Sequence, residues 1–263
     1  RRLAGVAVGV VLFASLWAAV WLTTEALVEG RHSYTGQSVL LHDLAAVSVE
    51  RGEPLFPDYI LRDAGFSMEK VSKAYLPYVA TPILPDSGLR FSADAGEMAA
   101  LRAKWLEVVA ANPGAYLRHR WRVFAQASGL GGLSVCFPYQ IAGYQPRGFR
   151  THDWLVHRLL KSYFWETRDS FLFRGFFWVL LSAALVFFAA RGRMRGDLEF
   201  VFVLASSGLL YGAAYFLVAP SCDFRFFWWT MLSAVVGSAF LVSHAARTRA
   251  AVGPPAGPAP EAA

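Results

Sequence analysis

The sequence predicts an all-α polytopic membrane protein, with about four transmembrane helices and a helical extracytoplasmic segment after the first. Its apolar residues are gathered rather than spread: residues 3–24, 175–190, 200–222 and 226–243 contain no Asp, Glu, Lys or Arg. The chain of 263 residues is 56% hydrophobic, against roughly 45–50% in soluble domains, and its mean hydropathy is +0.38. A soluble core can hide one such helix. Four in a chain of this length leave too little polar sequence to cover them, so lipid is the expected solvent.

The first block follows Arg1 and Arg2. Its apolar run exceeds the roughly 7–15 residues of a signal-peptide core, and no small-x-small cleavage site follows it. It therefore reads as an uncleaved span. The chain does not open with Met, and as the later part of a longer protein it would hold this helix as an internal span. The second span reaches full length only by including Phe171 to Phe173 and letting Arg174 snorkel. Between it and the next lie Arg191, Arg193 and Arg195, and short basic loops stay cytoplasmic. Arg1 and Arg2, and Arg247 and Arg249, fall on that same side if the helices alternate. The expected domains are a first span at 1–27, an outer segment at 28–170, a three-helix bundle at 171–246 and a disordered Pro/Ala/Gly-rich tail at 247–263.

Within the outer segment a helical period runs over 39–49, with Pro54 and Pro57 expected to end it. Residues 75–85 hold three prolines and read as an extended loop. Asp94 and Glu97 form a capping-box variant. They open a helix with Met98, Leu101, Trp105 and Val108 on one face. Asn112-Pro113 is a second helix start, and that helix carries Arg118, His119, Arg120 and Arg122. Residues 123–142 are uncharged but interrupted by glycine and proline, which suits a re-entrant segment or a short further span. Residues 151–167 are amphipathic and expected along the membrane surface.

Composition narrows the function classes. Two cysteines, Cys136 and Cys222, exclude a disulfide scaffold and a four-cysteine zinc site. A disulfide between them is permitted on the outer side and not implied. The histidines lack zinc-ligand spacing. A net charge of +6 beside a membrane favours anionic lipid headgroups or lipid-linked phosphates over nucleic acid, which is not an expected partner.

Three places carry candidate chemistry. His42 and Asp43 are polar residues inside an apolar helix. There a carboxylate serves as general base, as one ligand of a divalent metal, or as a packing and capping group. Arg118 and Arg120, with aromatic neighbours, suit phosphate oxygens because the guanidinium fork holds two at once; generic headgroup anchoring is the plainer reading. Asp223 and Arg225 sit in the tight hairpin between the last two spans. They either face a substrate, or stop one helix and anchor the next.

Three groups of residues also carry a resemblance. They are Leu41-His42-Asp43-Leu44-Ala45 with Pro54-Leu55-Phe56-Pro57; Trp105 with Asn112-Pro113-Gly114-Ala115-Tyr116-Leu117-Arg118-His119-Arg120; and Asp223-Phe224-Arg225-Phe226. In this order they resemble the later portion of bacterial GT-C glycosyltransferases of the cytoplasmic membrane. The resemblance implies transfer of a sugar from a polyprenyl-phosphate donor at the outer face. Under it Asp43 is the expected acid/base or metal-contacting residue, and Arg118, Arg120 and Arg225 hold phosphate oxygens. The class usually uses an acidic residue in its first outer loop; here Glu25 and Glu29 stand singly after the first span. The rival expectation is a non-enzymatic membrane component that binds lipid or assists envelope-polymer assembly. A transporter ranks third, since the spans lack ionisable groups at mid-depth.

Overall fold

The structure, a computed structural model, describes residues 36–80, 83, 87–132, 154–192 and 196–252, together with Ser15, Ala18, Ala19 and Leu22. The first predicted span, the stretch 133–153, Arg193, Arg195 and the tail from 253 lie outside the described residues. Among the described residues the fold is all-helical; its extended pairing consists of isolated antiparallel bridges, Leu76 with Val79 and Val79 with Ser221.

Helix α1, Gln37–Arg51, lies at the centre of the outer unit. Gly52 ends it, at φ +73°, sending its N–H back to the Ser48 carbonyl at 2.8 Å. The left-handed glycine therefore terminates this helix before Pro54 and Pro57, the expected breakers, are reached. Two short helices follow, α2 (Asp58–Leu61) and α3 (Met68–Ala74), the latter capped by the Ser67 hydroxyl. Helix α4, Ala95–Ala111, starts as its sequence predicts, with the Asp94 carboxylate accepting from the Glu97 N–H at 2.7 Å. The reciprocal half of the capping box is missing, because the Glu97 side chain pairs with Arg90 at 3.0 Å. Met98, Leu101 and Val108 are buried and Trp105 packs partly against them, as the spacing requires. Helix α5, Pro113–Ala127, begins on its proline. Leu41, Leu44 and Val47 of α1 close over Ile60, Val71 and Leu101 to form the outer core.

Helix α6, Leu155–Thr167, and a 3₁₀ turn at Phe171–Phe173 lead into the bundle of α7 (Gly175–Arg191), α8 (Asp197–Val218) and α9 (Trp228–Val252). Helices α8 and α9 run antiparallel: Arg247 pairs with Asp197, the Phe200 and Phe240 rings touch at 4.6 Å, and Thr230 donates to the Gly208 carbonyl at 2.8 Å. Small residues bring the axes together. A Cβ on Gly208 would lie 1.8 Å from the Ser233 hydroxyl.

Two stretches, Asp197–Val218 and Phe224–Ala250, are long and apolar enough to cross a membrane. Helix α7 has 17 residues, about 25 Å at 1.5 Å per residue, short of the roughly 30 Å hydrocarbon layer. The sequence reading extended it through Phe171–Phe173. Arg174 prevents this, since its extended backbone (φ −104°, ψ 113°) separates the turn from the helix.

One helix belongs to both halves. The first turns of α5 carry Ala115 into the outer core, while Ala127 and Phe124 at its far end join the bundle core. Of the predicted re-entrant stretch 123–142, the first five residues are the end of this helix.

Candidate functional site

The centre of the outer unit is a buried carboxylate. Asp43, on the inner face of α1, is fully enclosed. Its Oδ2 accepts from Arg120 Nη2 at 2.6 Å and from the Trp105 indole N–H at 2.8 Å. Arg120 is also fully buried and donates through Nη1 to the Ala219 carbonyl at 2.9 Å. One guanidinium thus ties α1 to the hairpin between α8 and α9. Backbone bonds reinforce the tie: Ala80 N–H to the Pro220 carbonyl at 3.2 Å, and Cys222 N–H to the Tyr78 carbonyl at 2.8 Å. Charge-assisted bonds of this kind are short and strong where water is excluded.

Two histidines complete the cluster. Tyr75 Oη lies 2.9 Å from His119 Nδ1, and His119 Nε2 lies 3.3 Å from Asp43 Oδ1, close but out of line for a hydrogen bond. His42 Nε2 meets the Leu76 carbonyl at 2.8 Å, so this nitrogen carries the proton and donates it. The two imidazoles stand edge to face with centroids 4.5 Å apart. Burial pushes the His42 pKa down to about 3, helped by its neighbour His119. Burial likewise lowers His119, against the opposing pull of Asp43, and raises the Tyr75 phenol to about 12. Near neutral pH the two rings are therefore uncharged, and the cluster balances one carboxylate against one guanidinium.

The predicted site residues do not converge on one open site. His42, Asp43 and Arg120 meet in the sealed cluster. Arg118, two residues from Arg120, turns outward and pairs with Glu50. Asp223 caps the 3₁₀ turn Phe224–Phe227, accepting from the Arg225 N–H at 2.9 Å and from Arg225 Nε at 2.7 Å. Asp223 thus starts a turn rather than stopping α8, which ends at Val218, and Arg225 folds back onto it. Among the described residues no group of His, Cys, Asp and Glu is placed to hold a metal ion. Cys222 is disulfide-bonded; Cys136, the other cysteine of the chain, lies outside the described residues.

A cavity of about 600 Å³ opens where the outer unit meets the end of α8. Leu40, Met98, Val218 and Pro220 give it apolar walls, and Arg102 and the first turn of α1 give it positive character. That turn has neither a side-chain cap nor an acidic residue, so its amide groups favour an anion. No described side chain pairs with the Arg102 guanidinium. The sequence reading passed over Arg102, although it follows Met98 by one helical turn and so shares its side of α4. Compared with protein-family models, curated proteins and solved structures, the chain matches none.

Proposed function

We propose that the chain is part of a GT-C-like glycosyltransferase of the bacterial cytoplasmic membrane, moving a sugar from a polyprenyl-phosphate donor at the outer face. The cavity carries this reading. It combines a cation that no described side chain pairs, a helix start without a side-chain cap and an apolar wall at the end of a helix long enough to span, features that suit a phosphate on a long hydrocarbon chain. Arg102 joins Arg118 and Arg225, whose ion pairs are exposed, as a phosphate-binding candidate, while Arg120 is buried against Asp43.

Membrane insertion is supported by the outside of the bundle. Leu180, Val203, Leu210 and Val242 are 61–72% exposed, and only 22% and 28% of the two span windows are buried. The core helix of a soluble protein would be mostly covered. The disulfide at Cys222 suits a hairpin on the oxidising, outer side. In this arrangement the block 3–24, α8 and α9 are full spans, and α7, with 17 residues, crosses where the bilayer thins to meet it.

Asp43 then acts as a positioning residue. A general base must reach the proton that it removes, and among the described residues this buried carboxylate meets Arg120, Trp105 and His119. The reacting acid is left to be supplied from outside the described residues. Sequestration of His42, Asp43 and Arg120 also favours a second reading, a non-enzymatic membrane component whose buried pair sets shape alone.

Transfer of radiolabelled sugar from polyprenyl-phosphate donors by the full protein in membranes separates the two. Arg102→Glu is expected to raise the donor KM at least tenfold with an unchanged melting temperature. Wild-type transfer by that variant removes the cavity assignment, and absence of transfer by the wild type supports the second reading.

A further inference from the structure

Helix α6 leaves its apolar side chains uncovered, as the bundle helices do, but it is amphipathic and too short to span. Leu155, Val156, Leu159, Leu160 and Tyr163 are 50–64% exposed. At 100° per residue they span about 140° of the helix, with Glu166 and its partner Ser162 at one margin of that face, whereas Arg158 and Lys161 lie on the other side. A helix of 13 residues is marginal in water without packing on its apolar face. Five large apolar groups in one continuous stripe mark an interaction surface rather than scattered surface residues.

From this stripe we infer that α6 lies in the plane of the membrane, its apolar face among acyl chains and its Arg158 and Lys161 among anionic phospholipid headgroups. Three observations select this occupant over a protein partner. The cations Arg158 and Lys161 lie on the side away from the apolar face, the polar-face charge that attracts acidic lipid surfaces. A short connection with the exposed Phe171 and Leu172, and then extended Arg174, joins the helix to apolar α7, so the same hydrocarbon layer is close to it. Its aromatic residues, Trp154, Tyr163 and Trp165, are of the types that gather at lipid headgroup level, and Trp165 lies beneath the Arg168 guanidinium at 3.9 Å. The inference rests on the proposed membrane insertion of α8 and adds a surface-lying element to it.

Spin labels at Leu159→Cys and Lys161→Cys, in the full chain within phosphatidylcholine and phosphatidylglycerol vesicles, test the inference. The natural Cys222 is held in its disulfide and does not compete for label under non-reducing conditions. Leu210→Cys, on the open side of α8, is the control for insertion. The Leu159 label is expected to collide with oxygen and to be shielded from a water-soluble nickel chelate, with the reverse at Lys161. Omitting phosphatidylglycerol should move the Leu159 label toward water, and Arg158→Gln with Lys161→Gln should abolish that lipid dependence.

Nickel access at Leu159 with a lipid-buried Leu210 overturns the inference and leaves insertion intact. Shielding of Leu159 from both reagents also overturns it, because protein then covers the stripe. A Leu159 depth that ignores phosphatidylglycerol overturns the assignment to anionic lipid. Nickel access at Leu210 overturns membrane insertion itself.

Discussion

The outer unit and the bundle are both helical with apolar cores, and differ in the polar residues they bury and in what they expose. In the outer unit the buried centre holds Asp43, Arg120, His42 and His119 beneath apolar layers, and charged pairs such as Arg90 with Glu97 line the exterior. In the bundle large apolar groups face outward, while Gly208, Ser233 and Thr230 pack inside. Helical structure alone does not report the solvent. What distinguishes the halves is where each spends its polar atoms: as an internal tie in one, and as small close-packing residues in the other.

Breaking the tie should have the largest effect. Arg120→Ala leaves a buried carboxylate without its counter-charge, a loss of about 3–5 kcal/mol. The expected result is little folded protein, read by size-exclusion in detergent. Asp43→Leu combined with Arg120→Met should recover much of that loss, since an apolar pair of similar volume avoids the unpaired charge. Failure of the double variant to improve on the single one would show that the bond to Ala219 matters more than the ion pair.

In the bundle, Gly208→Val should act by steric contact with Ser233 and cost toward the upper end of about 1–3 kcal/mol, read as a fall in melting temperature. A comparable loss from Gly114→Val, at the exposed start of α5, would contradict the contrast in packing.

Acid should distinguish the halves as well. The folded His42 pKa of about 3 lies below the ordinary 6.5 of an unfolded histidine, so its contribution is complete above pH 6.5. It is lost as the pH falls from there toward 3, by about 2 kcal/mol at pH 5, and His119 acts in the same direction. Melting temperature should therefore drop between pH 7 and pH 5, and His42→Gln should flatten that slope. An unaltered slope in His42→Gln would exclude this histidine as the source. The smallest effect belongs to Arg118→Ala. Its exposed pairing with Glu50 is of the type that contributes little, so the melt should be indistinguishable from wild type.

Much of this organisation is legible in the chain. The apolar blocks give α8 and α9, the cap at Asp94 gives the start of α4, Pro113 gives that of α5 although the Asn112 side chain turns back to the Val108 carbonyl, and two polar residues in an apolar run single out His42 and Asp43. The partners of Asp43 are not legible, because Trp105 and Arg120 lie on other helices 62 and 77 residues away. Alternating arginines in α5 conceal the inward one. A step of two residues turns the helix by about 200°, which sends Arg118 out and Arg120 in. The burial of Tyr116, Arg120, Val123 and Ala127 follows a three- and four-residue step that could have identified it. Arg102 was hidden differently, since its cavity exists only where α4 meets the end of α8.

The double membership of α5 bears on how the chain is made. Its far end emerges from the ribosome with Phe124 and Ala127 uncovered, and the Phe216 and Phe227 rings that meet Phe124 are synthesised roughly a hundred residues later, several seconds of translation. Nascent chains halted before α9 should therefore be bound by chaperones and cut by proteases at the end of α5, even with every residue of the outer unit already synthesised.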